Sequence, residues 1–138
     1  MKYSAYYVEE IDGVFSASIS ELELKKPSDG FVQIQVSCSS LNYKDALSAS
    51  GNKGVTRNYP FVPGIDAAGT ISDANSSNFV EGDEVLVTGY DMGMNTPGGF
   101  GEFINVPANW VVKKPSALTS IEAMSIGTAG LTAAASVL

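Results

Sequence analysis

The clearest periodicity in the chain lies at residues 31–38. Val32, Ile34, Val36 and Cys38 alternate there with Gln33, Gln35 and Ser37. A period of two puts each set on one face of a strand, so the apolar set is expected in a core and the other set in water. Residues 2–8 are rich in aromatic and β-branched types and predict a first strand. Asp12-Gly13 is a turn signal, and residues 14–19 predict the partner strand. Leu22 and Leu24 carry the chain to a second turn, Pro27-Ser28-Asp29-Gly30. Further strands are expected over 67–72, 85–87, 103–106 and 110–112, and a short helix over 44–50. Small residues begin the strand at 67, where close packing is expected.

The last twenty residues change character. Thr119-Ser120-Ile121-Glu122 has the capping-box pattern, in which hydroxyl and carboxylate satisfy each other's backbone N–H groups. Ala123, Met124, Ile126, Ala129, Leu131 and Ala133 follow, which predicts a helix, or two broken near Gly127. The whole reads as about eight short strands, one helical turn and a helical C-terminal tail, a mostly β fold rolled into an antiparallel or mixed barrel.

Composition narrows the chemistry. A chain of 138 residues, 44% hydrophobic and 17% charged, fits one globular domain rather than a disordered one. Its apolar runs fall short of the roughly 18 residues of a membrane span, and the N-terminus has no signal-like apolar region, so a cytoplasmic protein is expected. The net charge of −7 argues against nucleic acid, which needs clustered Lys and Arg. The pairs Lys25-Lys26 and Lys113-Lys114 are expected as solvated strand ends. With no histidine, the chain has no Ser-His-Asp or Cys-His nucleophile pair and no His-ligated zinc. The lone Cys38 allows no internal disulfide and is expected as a small buried hydrophobe.

Two loops invite functional readings and fail them. From Asp73, oxygen-bearing residues fall at Asn75, Ser77 and Glu84, but Asn78 stands where a calcium loop needs its turn glycine. A plain surface turn fits better. Residues 89–101 hold five glycines, yet a strand follows instead of the helix a phosphate loop requires. A structural or lid-like loop is expected.

Two knots of residues remain. Asn42-Tyr43-Lys44-Asp45 crowds an amide, a phenol, an ammonium and a carboxylate at a strand end, and Pro60-Phe61-Val62-Pro63-Gly64-Ile65-Asp66 follows. Both are expected to face one cleft. On pattern alone, Asn42 and Asp45 read equally as turn and cap residues. Lys44 and Arg57 read as solvated, with Arg57 able to guide an anionic substrate.

The motifs Ser-Ser-Leu-Asn-Tyr-Lys-Asp-Ala at 39–46 and Pro-Phe-Val-Pro-Gly-Ile-Asp-Ala-Ala-Gly-Thr at 60–70 resemble the medium-chain dehydrogenase/reductase superfamily. Gly-Asp-Glu-Val-Leu-Val-Thr-Gly at 82–89, Gly-Gly-Phe-Gly-Glu-Phe at 98–103 and Ile-Gly-Thr-Ala-Gly-Leu-Thr-Ala at 126–133 agree in order. The similarity is greatest to its zinc-free branch of quinone oxidoreductases and acrylyl-CoA reductases. It implies a GroES-like β-barrel over residues 1–118 and, over 119–138, the start of a helical connection to a Rossmann domain absent from this sequence. NADPH would be bound by that absent domain, so the chain alone is expected to be inactive. The implied substrate is a quinone or an enoyl thioester, and a homodimer is open for the full-length protein.

The resemblance also assigns roles. Zinc-dependent relatives carry Cys in place of Asn42 and Gly-His-Glu in place of Gly64-Ile65-Asp66. A carboxamide and an isoleucine cannot replace a thiolate and an imidazole, so no metal is expected. Tyr43 is expected beside the nicotinamide, positioning substrate or donating a proton, with Asn42 orienting the ring or the substrate carbonyl. Asp45 and Asp66 are expected to hold this loop by hydrogen bonds, and Thr128 to reach the nicotinamide. The competing reading is a non-enzymatic GroES-like binding or oligomerisation module, or a truncated remnant.

Overall fold

The computed structural model describes every residue of the chain except Ser76. Strands β1 (Lys2–Ile11) and β2 (Val14–Glu23) form an antiparallel hairpin. Its turn places Asp12 and Gly13 at φ 52° and 77°, values that favour Asp-Gly at this position. Strands β3 (Phe31–Ser39), β4 (Asp66–Asp73), β5 (Glu84–Thr88), β6 (Phe103–Pro107) and β7 (Val112–Lys113) form a second sheet. Its order is β6-β3-β4-β5-β7, and every ladder between these strands is antiparallel. The hairpin is stitched to loops of the second unit. Tyr6 N donates to Phe100 O at 2.7 Å, and Val8 and Phe61 exchange two bonds of 2.8 Å. Helices α1 (Tyr43–Ala49) and α2 (Ser120–Ser136) complete the chain.

The core lies inside the five-stranded sheet. Val32 and Ile34 of β3 meet Ala67 and Ile71 of β4, Val85 and Val87 of β5, and Ile104 and Val106 of β6. The period-two pattern of β3 thus points Val32 and Ile34 inward as expected. Close packing at the start of β4 is explicit at Gly69, where a Cβ would stand 2.1 Å from Gln35 O.

Four expectations need correction. Gln33 is buried, because its amide donates to Lys25 O and to Asn105 Oδ1, each at 3.1 Å, across the β3–β6 pairing. Cys38 is only half-buried, since β3 leaves the core near its end; partial burial still pushes its thiol up. Residues 108–110 form a 3-10 turn, so Trp110 precedes β7 instead of belonging to a strand. Lys114 is not a solvated strand end. Its side chain is 4% exposed and its ammonium donates to Leu118 O at 2.5 Å beside Glu84.

The two dismissed loops have structural work. Asn75 Nδ2 donates to Ser28 O at 2.7 Å and to Phe31 O at 3.2 Å, which ties loop to loop instead of facing a cation. The glycine-rich segment packs on the second knot: Gly98 N, Gly99 N and Phe100 N donate to Val62 O, Gly64 O and Pro63 O at 2.8, 2.9 and 3.0 Å. A Cβ on Gly98 would lie 2.3 Å from Gly64 O, so only glycine permits the approach.

Candidate functional site

The site begins where β3 stops. Asn42 is the N-cap of α1 in extended conformation, φ −125° and ψ 157°. Asp45, in the first turn, accepts from Asn42 N through Oδ2 at 2.8 Å. Its Oδ1 accepts from Ile65 N at 3.0 Å. One carboxylate therefore staples the first knot to the second. Asp45 is 1% exposed. Burial pushes its carboxyl up, the bonds from Asn42 and Ile65 pull it back, and the nearby Asp66 charge adds to the rise.

Asp66, the first residue of β4, is fully buried. Its Oδ2 accepts from Asn42 Nδ2 at 3.0 Å and from Thr128 N at 2.9 Å. Its Oδ1 accepts from Thr128 Oγ1 at 2.5 Å. Its main-chain carbonyl accepts from Ser39 Oγ. Thr128 N is free to donate because α2 breaks one residue earlier: Gly127 has φ 51° and ψ −163°, away from helical values. A Cβ at Gly127 would lie 2.6 Å from Ser40 Oγ and 2.8 Å from Asp66 Oδ2, so the close approach and the positive φ both require glycine. Asp66 thus caps the second half of α2 with a carboxylate.

Two exposed side chains flank the buried clasp in sequence. Tyr43 is 80% exposed and Leu41 85%, on either side of Asn42. Of the residues expected at a site, Asn42, Asp45, Asp66 and Thr128 share one hydrogen-bonded cluster, and Tyr43 stands at its edge with its phenol open to solvent. Asp45 and Asp66 have no solvent-facing surface, so they hold the cluster and do not themselves face a ligand. Two further members carry no expected role from sequence. Ser39 reaches Asp66, and Ser40 Oγ donates to Met124 O at 2.6 Å, docking the first half of α2. Their signal was the Ser-Ser pair at a strand end.

The family of the chain follows from residues 28–116, which match the alcohol dehydrogenase GroES-like domain. This chain belongs to that family. The domain's residues include both knots, the Asn42–Asp66 bond and the glycine-rich segment, while Thr128 lies beyond the matched range. Among curated relatives, Bacillus subtilis "Putative quinone oxidoreductase YhfP" is 48% identical over 80% of this chain and 33% of its own length. Its solved structure, with NAD bound, superposes at a TM-score of 0.92 and covers 99% of this chain and 42% of that one. The acrylyl-CoA reductase AcuI of Ruegeria pomeroyi is 38% identical over 94% of this chain and 39% of its length. The yhdH oxidoreductase of Salmonella enterica, solved in complex with NADP, is 44% identical at a TM-score of 0.88, covering 94% of this chain and 40% of that chain. The chain therefore spans well under half the length of the relatives it matches.

Proposed function

We propose that this GroES-like domain is the substrate-side part of a zinc-independent, NADPH-dependent reductase of quinones or enoyl thioesters. Residues 1–118 form the domain, and 119–138 begin its connection to a nucleotide-binding domain. The observation that carries the reading is the clasp of Asn42 and Thr128 on buried Asp66, which fixes an amide beside the exposed Tyr43. The relatives with bound NAD or NADP support it. A second reading, a non-enzymatic binding module, has less support, because a fully satisfied buried carboxylate beside an open phenol is more than a binding face needs.

The residues fit a nicotinamide better than a metal. Asp66 meets three hydrogen-bond donors, the Asn42 amide, the Thr128 N–H and the Thr128 hydroxyl, where a zinc ion would demand lone pairs. The proposed reaction therefore uses no zinc. The exposed phenol ring of Tyr43 offers a face on which a planar ring can stack. When bound, the nicotinamide supplies the hydride. Asn42, its Nδ2 committed to Asp66, presents its carbonyl oxygen in a fixed direction and orients the ring carboxamide. Tyr43 positions the acceptor and gives the proton to the α-carbon of an enoyl thioester or to a quinone oxygen. Thr128 and Asp66 set the geometry of Asn42.

The test is NADPH oxidation by the full-length protein that contains this sequence, with acrylyl-CoA and with quinones, and NADH in parallel. Turnover with either acceptor supports the reading. Oligomerisation or ligand binding with no nicotinamide-linked turnover would favour the binding module.

A further inference from the structure

A cavity of about 420 Å³ lies between the β1–β2 hairpin and β6, large enough for a small molecule. Phe31, the first residue of β3, borders it, whereas Asn42 follows the last, Ser39. A strand of nine residues, at roughly 3.3 Å each, separates it from the strand-end site. Only its wall at Val62 and Gly98 adjoins the second knot, where Gly98 N donates to Val62 O at 2.8 Å. Tyr3 and Tyr7 line it from one face of β1. The Tyr3 ring stands edge-on to Phe103, with centroids 6.1 Å apart and planes at 83°. Both phenols are half-buried, yet neither hydroxyl has a hydrogen-bond partner among the described residues. Burial pushes Tyr3 up and the nearby Tyr7 phenol adds to the rise, so Tyr3 stays protonated and able to donate. The other polar groups at the cavity are engaged or offset. Asn105 Nδ2 donates to Lys25 O at 2.9 Å, and its Oδ1 accepts from Gln33 Nε2 at 3.1 Å. Thr96 Oγ1 donates to Asp91 Oδ2 at 3.5 Å. Glu23 and Lys25, both exposed, carry opposite charges at the rim. Two O–H donors without an acceptor remain, among aromatic and aliphatic walls.

We propose that this cavity is an accessory binding site for a small aromatic carboxylate, whose oxygens accept from the Tyr3 and Tyr7 hydroxyls. Its ring lies against Leu22, Phe31 and Phe103. A carboxylate offers two acceptor oxygens to the two phenols. Its charge-assisted O–H···O⁻ bonds are about twice as strong as those of a neutral acceptor, which selects the acid over an amide of the same shape. The inference goes beyond the reductase reading and does not depend on it. The competing reading is a solvent-filled gap under the hairpin, in which the two phenols bond only to water.

The experiment titrates 3-phenylpropionate and the neutral 3-phenylpropanamide into the full-length protein and reads Kd by calorimetry. Both probes are saturated beside the carbonyl, so neither offers a double bond to a hydride. Wild type is expected to hold the acid at least about tenfold more tightly than the amide. Tyr3→Phe/Tyr7→Phe keeps both rings and is expected to abolish that preference, and each single variant to lose part of it. Tyr43→Phe, at the strand-end site, is expected to leave both Kd values in place. Absence of binding of the acid to wild type at millimolar concentration overturns the site, as does equal affinity for acid and amide. An unchanged preference in the double variant also overturns it. A loss in Tyr43→Phe equal to that in the double variant places the probe at the strand-end site and overturns it too. The wild-type comparison and the single variants decide the matter if the double variant unfolds. Failure here leaves the reductase reading untouched, because no turnover is measured.

Discussion

Asp45 and Asp66 are two buried carboxylates with no cation beside them among the described residues, and they do different work. Asp45 is held by main-chain donors, Asn42 N and Ile65 N, and so locks a turn to a neighbouring loop. Asp66 is held largely by groups from elsewhere: the Asn42 amide at the end of β3 and two donors of Thr128 on α2. The first carboxylate is part of how the domain folds. The second ties α2, which follows the matched residues 28–116, to β4 and fixes the amide expected at the site. Both are kept without an ion pair because N–H and O–H donors replace water around the charge.

Removing either group breaks the comparison most severely. Asp66→Ala is expected to cost about 3 kcal/mol by urea unfolding, because it strips a charged acceptor from three donors. Asp45→Ala is expected to cost a similar amount but to leave α2 docked, which proteolysis near Thr128 would report as unchanged protection. If both variants release α2 equally, the division of labour is wrong. Gly127→Ala strikes the Asp66 side alone. The positive φ and the crowding of Ser40 and Asp66 should cost about 2 kcal/mol, with no change at the Asp45–Ile65 bond.

Tyr43→Phe leaves both carboxylates untouched. At such an exposed position its stability should stay within about 0.5 kcal/mol of wild type. In the full-length protein, kcat with an enoyl thioester should fall at least about tenfold if the phenol donates the proton. An unchanged kcat removes that role.

The smallest effect is on acid stability. Glu122 accepts from Thr119 N at 2.8 Å, which holds its carboxyl below the usual range. Its contribution is present above the unfolded value of about 4.3 and fades as pH falls through the lower folded value. Glu122→Gln should therefore be slightly less stable than wild type near neutrality and equal to it in acid. Asp45 acts with the opposite sign. Its raised carboxyl makes the folded state bind a proton more readily, so its contribution declines as pH rises from about 3.9 through the folded value. Thermal unfolding across pH for wild type and Glu122→Gln separates the two.

Local pattern made much of this legible. Alternation placed Val32 and Ile34 in the core, and the Thr119–Glu122 spacing gave a capping box that forms as written. The two knots were expected to face one cleft, but the bond that joins them runs from the Asp45 carboxylate to the main-chain N–H of Ile65, which no side-chain pattern marks. What pattern missed depends on partners distant in sequence. Gln33 is buried only because Asn105, Lys25 and Ser72 supply its bonds. The Lys114 side chain is covered because the chain turns back to put Leu118 O over its ammonium. Thr128 was marked by resemblance, but its contact with Asp66 exists because Gly127 interrupts the helix, which composition signalled only as a break.

Amide hydrogen exchange at Thr128 tests the central claim, that Asp66 clasps α2 to the strand-end site. In wild type the Thr128 amide is expected to be protected, since it donates to a fully buried carboxylate. In Asp66→Ala its exchange should accelerate at least about tenfold more than that of Ile71, whose amide donates to Asp83 O within the core. An unprotected Thr128 amide in wild type, or equal acceleration of Thr128 and Ile71 in the variant, would contradict the account.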